Sequence, residues 1–396
     1  SMRRSCVLLA SAAVAATRGG LLQHLQQSRG STLKNARRAL SEYVYHARMM
    51  DYYAQNDTAV CNEFPRARFI LMLDRKALVS VDKETGETHL IEMDYEVLKN
   101  RLEEWGFELS LENSVFLDLQ KAERRRTAEG VEEYEGVFGT ALRSAATPPA
   151  GSPVSIDAIR EEMASSFNGR FMDLRRAMLV MRDEQERNRL AKLQSLSSWS
   201  SSFRRCPSCG GALIRRQSKT AAECPSCRKH HYPTFSPVSI TLIRDPADTH
   251  ALLVRHRGSV PGVFTCVAGF AMTGETLSQC AKREVAEEVG IEASWIRQLD
   301  VSQPWPMPDS SLMIGHEAIA NMNDKVQVCP DELEAARWFS RAEVAEALKR
   351  TEEDPHLKGL PRDANLRNDL LYVPPQGAIA HRLIKQWVEK DQTKRD

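Results

Sequence analysis

The chain lacks any apolar run of the roughly 18 residues that a membrane-spanning helix needs, so no such helix is expected. It has almost no net charge, +1 over 396 residues, and so no overall footprint for nucleic acid or an anionic membrane. Its cysteines do not form a disulfide framework. Five of the nine (Cys6, Cys61, Cys266, Cys280 and Cys329) are loosely scattered, which fits a reducing compartment. There is no internal repeat, and residues 1–200 contain no catalytic motif. With 42% hydrophobic and 27% charged residues, the rest is ordinary globular composition, long enough for two or three domains.

One absence is local. Residues 1–41 carry seven Lys or Arg and no Asp or Glu, and are rich in Ser, Ala and Leu. That is the composition of a mitochondrial transit peptide, and it predicts a matrix protein. The competing readings are a secretory signal, because Val7–Ala16 is apolar after two arginines, and a plain tail. Ser1 ahead of Met2 reads as a tag remnant. Without the seven cations the balance changes from 54 Lys/Arg against 53 Asp/Glu to 47 against 53, about −6.

Residues 42–60 are polar and helix-like. RARFILMLDRKALVSVD, HLIEMD and SVFLDL read as strands around an ETGET turn. Residues 142–154 are rich in Pro, Ala and Ser and read as a linker. A helical stretch is expected from about 155 to 198.

Two motifs carry chemistry. The first is CPSCGGALIRRQSKTAAECPSC, residues 206–227. Two C-x2-C knuckles fourteen residues apart suit one tetrahedral zinc on Cys206, Cys209, Cys224 and Cys227, against the alternative of two disulfides. Four thiolates leave no open position, so the metal is structural. Flanking arginines leave nucleic-acid binding open, though a solvated basic face on a small metal-stapled domain is the favoured reading.

The second is REVAEEVG, residues 283–290. Thr276 with Gln279 marks a helix start and Gly290 a stop. The helix should bury Leu277, Ala281, Val285 and Val289. Glu284 and Glu288 then fall at the edge of the apolar arc, with Glu287 further round. Unpaired carboxylates there are costly, and a hard divalent cation resolves the conflict.

Extended outward, the pattern is Gly269, five residues, Glu275, seven residues, Arg283-Glu284, Val285, one residue, Glu287-Glu288, one residue, Gly290, Ile291. It resembles the Nudix box, a loop–helix–loop in an α/β/α sandwich. The resemblance implies Mg²⁺ or Mn²⁺ on Glu284, Glu287 and Glu288, and an ion pair between Glu275 and Arg283 bracing the loop. SQPWPMPDS, residues 302–310, is similar to the signature of the NADH pyrophosphatase branch, with Met307 where the pattern has Phe. It is expected as a stiff loop with an exposed indole, or else a Pro-rich turn with a core Trp. Tyr232-Pro233 and PPQGAIAHRLI (374–384) agree with that branch.

The resemblance implies a substrate site of Tyr232, Phe270, Gln303, Trp305, Ser310 and Ala380, shared across a homodimer interface. It also implies Glu332 as a further metal ligand, against a plain surface glutamate. The expected class is α+β: a C-terminal Nudix α/β/α sandwich preceded by a four-cysteine zinc ribbon and a divergent N-terminal α+β domain. The expected layout is transit peptide 1–41, N-terminal domain 42–152, helical connector 153–200, ribbon 201–235 and Nudix domain 236–396. The implied activity is metal-dependent hydrolysis of NADH, NADPH or NAD⁺ to a nicotinamide mononucleotide and AMP or its 2′-phosphate. The alternatives are removal of NAD caps from RNA by the same site, and a non-catalytic zinc-ribbon binding module.

Overall fold

The computed structural model describes residues 41–126, 132–144, 156–308, 310–360 and 369–390. The transit-peptide reading and most of the 142–154 linker lie outside them. By compactness the chain divides after Asp57. The first unit contains helix α1 (Glu42–Gln55), started by Ser41, whose hydroxyl accepts from the Val44 N–H.

The second unit begins at Thr58, within α2 (Asp57–Glu63), and contains the elements that follow. Its first sheet has seven strands: β1 (Arg68–Leu73), β2 (Lys76–Val81), β3 (Thr88–Leu90), β4 (Met93–Asp94), β5 (Ser114–Arg126), β6 (Glu132–Leu142) and β7 (Arg170–Asp173). The order is β3-β2-β1-β6-β5, with β4 on β1 and β7 on β2, and only β1–β6 is parallel. Helices α3 (Tyr95–Glu104), α4 (Ile156–Ser166), α5 (Leu174–Val180) and α6 (Glu184–Ser202) accompany it. The expected continuous helical stretch is therefore wrong in its middle. Arg170–Asp173 extends and pairs with Lys76–Val79, because Met172 can bury against that sheet.

A small ribbon follows: β8 (Ile214–Arg215), β9 (Ala222–Glu223) and β10 (His230–His231). The last sheet is built from β11 (Ser236–Arg244), β12 (His250–His256), β13 (Val267–Phe270), β14 (Ala293–Trp305), β15 (Ser311–Ala320) and β16 (Leu333–Ser340). Its order is β14-β15-β11-β12-β16, with β13 on β11. Helix α7 (Leu277–Val289) packs its Cys280, Ala281, Val285 and Val289 side toward one face, with Ile243, Val254, Val267 and Ala318. Helices α8 (Arg341–Glu353) and α9 (Ile379–Glu389) cover the other, around Leu253, Phe264 and Trp387. This is the expected α/β/α sandwich.

Helix α7 begins and ends where expected. Thr276 and Gln279 form a reciprocal capping box, and Gly290 closes the helix at φ 68°. A Cβ on Gly290 would stand 2.7 Å from that of Gln327, so glycine answers both the backbone and the space. Leu277, expected in the core, is only half-buried at the first turn.

The SQPWP segment corrects another expectation. It is the end of β14, paired with β15 through Trp305 opposite Ser311. Trp305 and Met307 are half-buried against the core of the first sheet, so the indole is not a free loop side chain. Pro304 fits because β14 is an edge strand, where a missing N–H need not interrupt the ladder.

Candidate active site

Arg283 organises the box. Its Nε and Nη2 donate to the two oxygens of Glu275 at 2.8 and 2.9 Å. Its Nη1 donates to Glu284 at 2.6 Å and to Glu287 at 2.8 Å, and Nη2 also reaches the Phe270 carbonyl at 2.8 Å. One planar guanidinium thus ties the loop before α7 to two carboxylates on the helix. Those hydrogen bonds hold the Glu275 carboxyl down at about 2 and push the Arg283 pKa up. A lysine has one point charge and cannot serve four acceptors. Arg283→Lys should cut turnover by about 10²-fold with circular dichroism unchanged; near-normal kinetics would show that the clamp is dispensable.

Glu284 and Glu288 sit deeper than the edge position expected of them, 8% and 1% exposed. Burial, the largest cause, pushes both up, Glu288 to about 8, and the negative charge of Glu332 pushes in the same direction. Glu288 accepts a hydrogen bond from the Ala268 backbone, while its Oε2 is buried with no partner. Glu287 lies in solvent, as does Glu332 just before β16. Among the described residues only the four cysteines bring ligand atoms all within 4.8 Å of one another. Of the glutamates, Glu284 and Glu287 are both held by Arg283 Nη1.

Room for Glu284 depends on Gly269. A Cβ there would lie 1.9 Å from Glu284 Cδ. Gly269→Ala must displace that carboxylate, and is expected to lower turnover by at least about 10²-fold. A high-resolution structure of the variant with Glu284 unmoved would refute the account.

The six substrate residues implied by resemblance separate into two groups. Tyr232 and Phe270 present solvent-exposed rings, 65% and 51% exposed. The others are engaged within the fold. Gln303 donates to the Gly377 carbonyl and accepts from the Ile379 N–H, both at 2.7 Å, and so anchors the start of α9. Ala380 is buried in the core beneath that helix, and Trp305 is packed as described. Ser310 is half-buried and its carbonyl accepts from Ser236 N–H at 2.9 Å.

Cys280, set aside among the scattered thiols, lies under the box loop with Sγ 3.6 Å from the Gly269 carbonyl. Its position one helical turn before Glu284 was the available signal.

In the ribbon, Cys206 and Cys227 bring their sulfurs to 3.6 Å and Cys209 and Cys224 to 3.5 Å, with no disulfide. Backbone N–H groups of each knuckle point at the sulfurs. The Cys227 N–H chiefly brings Cys224 down to about 6. His231, which the sequence did not single out, stands 3.3 Å from Cys206 Sγ. The four can hold a metal ion.

The NUDIX domain profile matches residues 235–361. A Caenorhabditis elegans protein named NAD-capped RNA hydrolase ndx-9 is 52% identical over 88% of this chain and 90% of its own length. The mouse protein named NAD(P)H pyrophosphatase NUDT13, mitochondrial, is 33% identical over 89% of this chain and 93% of its own. The human NAD-capped RNA hydrolase NUDT12 is 37% identical over 53% of this chain and 43% of its own length. Similarity that runs nearly end to end, on top of a complete box in a sandwich fold, means that this chain belongs to the Nudix hydrolase family, in its NADH pyrophosphatase branch.

Proposed function

We propose that this Nudix hydrolase splits the diphosphate of NAD(P)H, releasing reduced nicotinamide mononucleotide and AMP, or the 2′-phosphate of AMP from NADPH. The observation that carries the reading is the buried, unpartnered Oε2 of Glu288, within electrostatic reach of Glu284 and Glu332. A carboxylate among carboxylates in the core requires a proton or a cation. Oxygen donors alone suit Mg²⁺ or Mn²⁺, which Glu284, Glu287, Glu288 and Glu332 would hold. When bound, such ions neutralise the diphosphate and lower the pKa of an attacking water.

The chain's own groups do the rest. Glu287 or Glu288 takes the proton of the water. Arg283 keeps Glu284 and Glu287 in register. Tyr232 and Phe270 offer ring faces to a base, each contributing roughly 1–3 kcal/mol by stacking, in a homodimer. The four cysteines hold zinc. Zn–S bonds of about 2.3 Å at tetrahedral angles put sulfurs about 3.7 Å apart, close to the 3.5 and 3.6 Å present. The proposed compartment is the mitochondrial matrix, supported by the acid-free first 41 residues and by the name of the mouse relative.

Removal of NAD caps from RNA is a second reading, favoured by the name of the worm relative at 52% identity. One experiment addresses both. Protein lacking residues 1–41 is incubated with NADH, NAD⁺, NADPH, ADP-ribose and a short NAD-capped RNA, with Mg²⁺ or Mn²⁺, and products are separated by chromatography. AMP with reduced nicotinamide mononucleotide is expected. Faster release of 5′-monophosphate RNA than of AMP would move the conclusion to decapping, and no cleavage by folded protein would end both.

A further inference from the structure

Away from α7, a cleft of 520 Å³ opens between the first sheet, helix α6 and the tip of the ribbon's β8–β9 hairpin. We propose that it is a second ligand site, taking a phosphorylated molecule of mononucleotide size. The proposal does not depend on the reaction assigned above.

The hairpin tip carries the main observation. Lys219 N–H donates to the Arg216 carbonyl at 3.0 Å, and Lys219 sits at φ 61°, a left-handed conformation that favours glycine or asparagine. Yet it is a lysine, only 3% exposed, lining the cleft. Its ammonium makes no hydrogen bond or ion pair with any described residue. Glu112 attracts it from a distance, Arg215 repels it, and burial holds its pKa below the ordinary lysine value. A lysine whose stem is buried and whose unpaired ammonium opens on the cleft, held on a backbone that disfavours its side chain, carries a cost with no return inside the protein.

The walls support the same ligand. Gln194 on α6 is 6% exposed, lines the cleft, and its amide makes no hydrogen bond with a described residue. Arg75, Arg143, Arg204 and Arg215 add four guanidinium groups against two carboxylates, Glu108 and Glu112. Glu112 is turned outward, its side chain 79% exposed and paired with Arg215 at 3.0 Å. The lining is net positive and rich in donors, which suits phosphate oxygens. Phe107 is half-buried in the same wall and supplies a ring face for a base. The volume falls in the range of small-ligand sites, about 300–1,000 Å³.

The test uses the full chain carrying Glu288→Gln, in buffer free of magnesium and manganese, titrated with AMP by calorimetry. Saturable binding, displaced by inorganic phosphate, is expected. Lys219→Gly and Lys219→Met should each weaken it by about tenfold, the worth of one charge-assisted hydrogen bond. In the wild-type background both should leave NADH turnover unchanged. Lys219→Gly also relieves the left-handed backbone, so its melting temperature should rise while binding falls, which a purely structural lysine would not produce. No saturable AMP binding at millimolar concentration, AMP binding equal in all three proteins, or a fall in the melting temperature of Lys219→Gly would each overturn the proposal.

Discussion

Glu288→Gln is expected to cut turnover by roughly 10³-fold or more, within the range for loss of a positioned acid–base group, and at the same time to stabilise the metal-free protein above neutral pH. The two effects have one cause. The Glu288 carboxyl moves from an ordinary value of 4.5 to about 8 on folding, chiefly through burial. Its folded pKa is raised, so folding favours the protonated form. Below pH 4.5 both states are protonated and nothing is lost. Between pH 4.5 and 8 the unfolded chain ionises while the folded one resists, and the penalty grows. Above 8 it is fully developed, on the order of 3–5 kcal/mol. Glutamine has the same shape and no charge, so it escapes the penalty.

Thermal melts without divalent cations should therefore show Glu288→Gln several degrees above wild type at pH 8 and level with it at pH 5. Adding Mg²⁺ should raise the melting temperature of the wild type to at least that of Glu288→Gln, whose own melt should rise by less, since it keeps three of the four proposed ligands. A Glu288→Gln protein less stable than wild type at pH 8 would mean that Glu288 has a stabilising partner within the protein, and the metal-site reading would fail with it.

The sequence showed the chemistry of this site better than its depth. Fixed spacing from Gly269 to Ile291 and the Thr276–Gln279 cap located helix α7 to the residue. Helical periodicity, however, placed Glu284 and Glu288 at the rim of the apolar face. It could not register that a missing Cβ at Gly269 opens space for Glu284 beneath the loop. That information belongs to a long-range contact, which no local pattern encodes.

The same limit explains Trp305. Three prolines in seven residues read as a loop; Pro304 falls within β14, whose place at the sheet edge tolerates it, and Pro306 and Pro308 follow the strand. The resemblance implied Gln303 as a substrate residue; that both ends of its amide bond to the start of α9 is a long-range contact the local pattern does not show. In the first half, β1, β2 and β5 were legible as apolar runs. Strand β7, four residues between two helices, was not, because its extended form comes from pairing with β2.

Loss of the ribbon metal should have the other large effect. Strands β8, β9 and β10 are two residues each, and between the knuckles the only fully buried apolar side chains are those of Ala221 and Ala222. Two alanines bury too little surface to hold such a sheet. Zinc on four thiolates can supply on the order of 10–16 kcal/mol at neutral pH. Of the paired thiols, Cys224, lowered to about 6, gives up its proton first, while Cys209 is pushed up to about 12. Cys224→Ser, or prolonged treatment with a strong chelator, should release one zinc per chain and make residues 206–231 protease-sensitive. Turnover should fall with them, since Tyr232 follows β10 directly and loses its mount. The sandwich, with its own core on both faces of the sheet, should still melt cooperatively. Metal analysis beside limited proteolysis reads all of this. A Cys224→Ser protein that keeps a protease-resistant ribbon and full activity would show that packing, not metal, holds the module together.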